Sequence, residues 1–195
     1  MIATKQQLLE FLEADKIANN RKSIKIKKYN DEIWDFIVSM RMTDYKKTVL
    51  SNSKSRFQRY FNGHQFMKWH KKWHRLSVKL GITMGYGGIG KGFSIAHYGL
   101  LTINGGAKIG DFCRVHEGVC IGSSSGSNAP QIGNYVFIGT GAKIIGDIKI
   151  ADYVQIGANA VVTKSILEPH TTWAGIPAKK ISNRDSKDNL VYLFK

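Results

Sequence analysis

Cysteine, proline and acidic residues are scarce in this chain of 195 residues, and each shortage closes off a class of structure. Its two cysteines, Cys113 and Cys120, lie among apolar neighbours without metal-ligand spacing. That excludes a disulfide scaffold and a cysteine-based zinc module, and it implies reduced thiols in a cytoplasmic protein. No segment approaches the ~20 consecutive apolar residues of a membrane span. The opening stretch MIATKQQLLE reads as an amphipathic helix start and lacks the apolar run of a signal peptide.

Asp and Glu number 14 against 29 Lys and Arg, a net charge of +15. Such a surplus attracts anionic partners: nucleic acid, a membrane surface, an acidic polymer or a phosphate-rich cofactor. The basic clusters fall at 21–28, 46–47, 54–59 and 68–75, within the first 80 residues. No nucleic-acid motif accompanies them, so nucleic acid is not an expected partner.

Glycine is almost missing from those first 80 residues and abundant afterwards. The early part carries apolar residues at helical spacing, Leu8, Leu9, Phe11 and Leu12, then Ile33, Trp34, Phe36, Ile37 and Met40. Asn30, followed by Asp31 and Glu32, is the expected N-cap of the second helix, and a further helix is expected over 61–80.

The glycine-rich part is repetitive. Ile132, Ile138, Ile144, Ile150, Ile156 and Val162 recur at strict six-residue spacing. Val136, Ala142, Ile148, Val154, Ala160 and Ile166 follow each of them by four. The phase extends back through Ile121, Val115, Ile109, Ile103, Ile95 and Ile89, with two interruptions. One is an eight-residue unit, IAHYGLLT, beginning at Ile95; the other is a loop of about five extra residues between Ile121 and Ile132. Neither a 3.6-residue helix nor a two-residue alternation produces this register. Each unit is a short strand and a tight turn whose first and fifth residues point inward, and three units complete one turn of a solenoid. Twelve leads therefore predict about four coils. The expected organisation is an N-terminal α-helical subdomain (1–80), a mainly β, parallel β-helix domain (81–167) and a C-terminal extension (168–195) beginning near Pro169 and Pro177.

The stretches KIGDFCRVHEGVCIG (108–122), IGTGAKIIGDIKI (138–150), IGANAVVTKSI (156–166) and HTTWAGIPAKKI (170–181) resemble the hexapeptide-repeat acyltransferases, in the branch of the serine O-acetyltransferases. Within it, RMTDY (41–45) and LSVKLGI (76–82) are most similar to the capsule and exopolysaccharide O-acetyltransferases. The resemblance covers roughly residues 80–181 and implies a left-handed β-helix, a homotrimer, and acetyl-CoA bound between neighbouring subunits. It also shows departures. The Asp-His pair of true serine acetyltransferases reads Ala96-His97, their Arg-His pair reads Asn128-Ala129 before Pro130, and a further aspartate reads Ile82.

A neutral imidazole suits removal of a proton from an acceptor hydroxyl, and His97, in the eight-residue unit, is the expected general base. Counting one coil onward puts Glu117 near His97 and His116 near Ala96, so Glu117 is expected to orient His97 in place of the missing aspartate. His116 is a second candidate, for acceptor binding, for the acetyl site or for structure alone. For acetyl-CoA the candidates are Gly139, Gly141, Ala142 and Ala158 beside the pantetheine arm, with Lys164, Lys179 and Lys180 at the phosphates. A backbone amide near Gly122 or Ser123 is the candidate oxyanion donor. A γ-carbonic-anhydrase-like zinc site needs three histidines, and the solenoid offers His97 and His116, so no metal is expected.

The expected acceptor is a sugar hydroxyl of a capsular, exopolysaccharide or lipopolysaccharide unit, as a glycan or lipid-linked sugar. Serine acetylation for cysteine synthesis is the alternative, weakened by Ala96, Asn128 and Ala129; a non-catalytic trimeric scaffold is the alternative of another class. The basic aromatic segment 64–75 fits either contact with an anionic membrane surface, at the inner face of the membrane, or aromatic packing on the solenoid with its charges outward.

Overall fold

The computed structural model describes every residue except 28, 127, 191, 194 and 195; residue 28, in the 21–28 basic cluster, and residue 127, in the loop before Ile132, therefore lie outside the described residues. Three helices precede a parallel β-solenoid: α1 (Lys5–Ala18), α2 (Glu32–Ser51) and α3 (Arg56–Leu80). Thr4 and Ser55 cap α1 and α3 by reciprocal capping boxes with Gln7 and Gln58. Such boxes satisfy amide groups that a helix start leaves without partners. Gly81 ends α3 in the left-handed conformation at φ 70°.

Two helix starts differ from expectation. Asn30 is not the cap of α2: it adopts φ 54°, and Asp31 occupies the cap position. The Asp31 carboxylate is taken by the Arg21 guanidinium and the Lys27 amide, which leaves no side-chain cap for α2. Helix α3 begins at Arg56, ahead of position 61, because the Ser55 capping box lies upstream of the apolar pattern.

The solenoid has three faces. One carries Ile82–Thr83, Leu101–Ile103, Cys120–Gly122, Lys143–Ile145 and Val161–Val162. The second carries Ile89, Lys108–Ile109, Gln131–Ile132, Lys149–Ile150 and Ile166. The third carries Ser94–Ile95, Arg114–Val115, Phe137–Ile138, Gln155–Ile156 and Thr172–Ala174. Five strands on the first face make five turns, one more than the twelve leads count. The extra turn comes from Ile82–Thr83 at one end and Ile166 and Thr172–Ala174 at the other, which lie outside the strict six-residue phase of the leads. At the far end, Lys179–Ser182 pairs antiparallel with Thr172–Ala174.

The lead isoleucines and their fifth-position partners fill the interior; Ile121, Ile138, Ile144, Ile156, Val136, Val154, Ala142 and Ala160 are fully buried. Each fully buried aliphatic side chain of Ile or Val size contributes roughly 1.5–3 kcal/mol. Corner residues bond the turns together. Asp111 Oδ1 accepts the Lys91 amide at 2.9 Å, Asn134 Oδ1 that of Asp111 at 2.8 Å, and Asp152 Oδ1 that of Asn134 at 2.7 Å. The next residues in each turn, Phe112, Tyr135, Tyr153 and His170, all have φ between 55° and 58°. Their rings stack at centroid separations of 5.2, 4.7 and 4.6 Å. One corner is thus a polar ladder flanked by an aromatic one.

The helices dock on the first turn through a buried ion pair. Arg41 Nε and Nη2 donate to Asp15 at 2.8 and 3.0 Å, and the guanidinium also donates to the carbonyls of Ile89 at 2.7 Å and Gly90 at 2.6 Å. Asp15 in turn accepts the Phe93 amide at 2.9 Å. Asp44, from the same RMTDY stretch, accepts the Ile2 amide at 2.9 Å. The charged residues of that stretch therefore hold the subdomain in place. In segment 64–75, Phe66, His70 and Trp73 cluster on Tyr86 of the first turn, while Lys68, Lys71, His74 and Arg75 face solvent. This is the packing alternative for that segment. No helix among the described residues is long and apolar enough to cross a membrane.

Candidate active site

One solenoid edge carries the Asp–Asn and aromatic ladders, and another gathers two histidines and a carboxylate. Ser94 and Ile95 pair with Arg114 and Val115, and Ala96 N–H continues the ladder to Val115 O at 3.0 Å. Two further residues at the corner carry His97 outward, and the register brings it to Glu117 one turn on. Ligand-capable atoms of His97, His116 and Glu117 all lie within 4.8 Å of one another. The two imidazole rings meet edge to face at 5.7 Å.

The third turn supports this pair. Phe137 contacts the His116 ring edge to face at 5.1 Å. Thr140, a residue that sequence reasoning did not select, donates its hydroxyl to Glu117 Oε1 at 3.0 Å and lies 3.5 Å from His116 Nδ1. It occupies the same corner of the next coil as Glu117, so a coil-by-coil reading of IGTGAK would have found it. Glu117 Oε2 is buried, lies 3.8 Å from His116 Nδ1, and has no hydrogen-bond partner in the structure.

Burial, followed by the nearby Arg114 charge, lowers the His116 pKa from its ordinary 6.5; Glu117 opposes and His97 adds to the effect. Its ring is therefore held neutral at neutral pH. Glu117 is held below the usual carboxylate range chiefly by a hydrogen bond from its own backbone amide, against a burial penalty, with Thr140 and the two histidines adding to the lowering. The corner thus offers two imidazoles and an anchored carboxylate. Such a group can accept a hydroxyl proton at His97 while Glu117 compensates the positive charge that forms.

The same edge continues upward through small residues, and here the expected cofactor positions divide. Gly139, Gly141 and Ala158 lie on the His97 edge. Gly141 has φ 73°, and a side chain there would meet Asn159 Oδ1 at 2.1 Å, so stacking of the turns already demands glycine. Ala142 is a correction: its side chain is fully buried in the interior and cannot touch a ligand, because the position after each corner glycine points inward. Gly122, Ser123 and Lys164 lie at the following corner, one face away from His97 within the same chain, so they do not join this cluster. Ser123 instead accepts a hydrogen bond from Asn104 at 3.2 Å. Lys179 and Lys180 lie on the closing strand; Lys180 is committed to Glu168 at 2.6 Å and Lys179 is exposed.

The departures also take on structural meaning. Ile82 is 2 % exposed and lines the core, so its identity says nothing about an acceptor. Asn128 bonds the Asp147 carboxylate at 3.0 Å, one face away from His97. Next to Ala96 the carboxylate missing from the sequence pair is supplied across the turn by Glu117.

Residues 129–164 match the family described as bacterial transferase hexapeptide, six repeats. Across 148 residues the chain is 31% identical to the serine acetyltransferase of Staphylococcus aureus, covering 74% of this chain and 61% of that protein. The chain thus spans less than two thirds of this relative's length. Among solved structures, the serine acetyltransferase of Neisseria gonorrhoeae in complex with serine superposes with a TM-score of 0.64 at 23% identity, over 91% of this chain and 70% of that one. The serine acetyltransferase of Brucella abortus in complex with coenzyme A gives 0.65 at 21%, over 92% and 69%. The hexapeptide solenoid with its helical N-terminal region therefore has the fold of the left-handed β-helix acyltransferases.

These relatives overturn the expectation of a sugar acceptor, because they are serine acetyltransferases, the alternative that Ala96, Asn128 and Ala129 had weakened. Ala96, Asn128 and Ala129 are single positions along the chain, whereas the edge around His97 is assembled from successive turns. In the folded hexapeptide edge, Glu117 restores a carboxylate beside His97, Ile82 is interior, and Asn128 serves the neighbouring corner.

Proposed function

We propose that this protein transfers an acetyl group from acetyl-CoA to the hydroxyl of L-serine. The observation that carries the reading is the His97–His116–Glu117 cluster on one edge of the solenoid, combined with the similarity to serine acetyltransferases. In this reading His97, the exposed member, takes the serine hydroxyl proton as the oxygen attacks the thioester carbonyl. The carbon–sulfur bond then breaks, and the thiolate leaves with the proton returned by the imidazolium. O-acetylserine and free CoA are the products. Glu117, anchored by Thr140, stabilises the imidazolium. His116, held neutral, lies between His97 and Phe137 and borders the acceptor.

Gly139, Gly141 and Ala158 form the narrow edge along which the pantetheine arm runs towards Lys179, which meets a phosphate. The edge is an open ridge, and an open ridge does not exclude water from a thioester. We therefore place the site in a homotrimer, where a neighbouring subunit brings its Gly122–Ser123 corner and Lys164 against this edge. Tyr98 and Leu100, 72% and 79% exposed beside His97, are apolar surface suited to such a contact.

The test is thiol release from acetyl-CoA with and without L-serine, followed through O-acetylserine formation. Turnover with serine is expected, and His97→Ala is expected to lower kcat by ~10²–10⁴-fold, the usual contribution of a positioned base. Thiol release no faster with serine than without it, or a His97→Ala protein as active as the parent, overturns the reading.

A further inference from the structure

We infer that His97, His116 and Glu117 form a capture site for a divalent transition metal of the zinc class, whose occupancy switches off the base. The inhibitory half rests on the acetyl-transfer reading above; the binding half stands on the cluster alone. Counting histidines finds only two donors in the solenoid. Folding adds the third, because the coil register places the Glu117 carboxylate beside both rings.

The geometry is close to a metal site before any metal enters. Zinc held by imidazole nitrogen and carboxylate oxygen at ~2.0–2.2 Å needs its ligand atoms roughly 3.4 Å apart at tetrahedral angles. Here the three donors lie within 4.8 Å, and the His116 Nδ1 to Glu117 Oε2 pair is already at 3.8 Å. His97 is exposed on a two-residue expansion of its coil, so its side chain can close the remaining gap by rotation.

Two further observations point to a ligand. Glu117 Oε2 is buried without a hydrogen-bond partner, although its carboxylate faces a cluster rich in nitrogen donors. A buried, unbonded carboxylate oxygen is costly, and a cation would satisfy it. The other oxygen, Oε1, is fixed by the Thr140 hydroxyl at 3.0 Å, an outer contact of the kind that orients metal-binding carboxylates. The donor chemistry selects the class of ion. Two imidazoles and one carboxylate suit zinc, cobalt or nickel, whereas magnesium and calcium prefer an all-oxygen shell. Elsewhere the chain offers no rival of this kind among the described residues: Asp111 and Asp152 are engaged by backbone amides of the neighbouring turn. A metal bound here takes the His97 lone pair that would accept the serine proton, and it leaves a fourth position open to water.

The experiment is calorimetric titration of the full-length protein with ZnCl₂, supported by the visible absorption spectrum of CoCl₂ bound in its place. One zinc per chain is expected, with His97→Ala, His116→Ala and Glu117→Ala each weakening binding at least tenfold, and with MgCl₂ giving no heat. Absence of zinc binding, or binding unchanged in all three variants, overturns the site. Circular dichroism of the variants guards against misfolding, and Glu117→Gln, which keeps size and removes charge, must weaken binding as well. In the thiol-release assay, stoichiometric zinc is expected to abolish serine-dependent turnover and EDTA to restore it. A zinc-loaded protein that turns over at the metal-free rate overturns the inhibitory role. A protein that binds zinc but never acetylates serine overturns the acetyl-transfer reading and leaves the metal site standing.

Discussion

Replacing Arg41 by methionine tests whether the helical subdomain and the first turn are held by one buried ion pair. Arg41 and Asp15 are 1% and 0% exposed at their side chains, so neither charge has water to fall back on. Arg41→Met keeps the aliphatic bulk but removes two bonds to Asp15 and two to the carbonyls of Ile89 and Gly90. Asp15 then retains, from this cluster, the Phe93 amide. Breaking a buried pair by removing one partner costs about 3–5 kcal/mol, because the remaining charge is left uncompensated. The double replacement Asp15→Leu with Arg41→Met removes both charges, and it should recover part of that loss. The expected signature is a coupling of about 2–3 kcal/mol between the two positions, within the range measured for residues that share one network. Urea unfolding followed by circular dichroism measures it. A loss under about 1 kcal/mol for Arg41→Met, or strict additivity of the two single changes, refutes the reasoning. The effect should reach function as well, since Phe93, which the clamp secures, immediately precedes the strand Ser94–Ile95 that leads to His97.

Two further outcomes can be checked without substrate. The His116 ring should titrate below 6.5 when followed by its NMR ring-proton shifts, with burial as the main cause. Because the unfolded chain then binds the proton more readily than the folded one, the stability linked to His116 is complete above the unfolded value and declines as pH falls below it. Glu117→Gln, which removes an attraction for that proton, should lower the His116 value further, and Arg114→Gln should raise it; opposite shifts would show that other charges control the ring. Thiol labelling at pH 8 should modify Cys120 and spare Cys113 until the protein unfolds. Burial pushes the Cys113 thiol up to about 12, and its sulfur bonds Gly133 O at 3.0 Å, whereas Cys120 is only half-buried. Rapid labelling of both thiols in the folded protein would contradict the packing of that turn.

The six-residue period determined the solenoid by itself. Ile132 through Val162 allow one inward-facing register, and a strand–turn unit of that length has no other way to bury its lead residues. The eight-residue unit likewise marked His97 as a side chain that leaves the regular corner, and counting one coil forward placed Glu117 beside it. The same register turned Ala142 inward as a fifth-position residue, so the cofactor contact also expected of it conflicted with the repeat, whereas Ala158 stands at the edge. The role of RMTDY was not legible in this way: Arg41 finds Asp15 and the carbonyls of Ile89 and Gly90 only after three helices and the first turn have assembled. The expected sugar acceptor, overturned by the serine acetyltransferase relatives, had rested on Ala96, Asn128 and Ala129 taken one position at a time, whereas the edge around His97 is assembled from successive coils. Local spacing governs the period of a solenoid, but the stacking of turns decides which side chains meet across it. Residues 20 apart in the chain, such as His97 and Glu117, become neighbours only through that stacking.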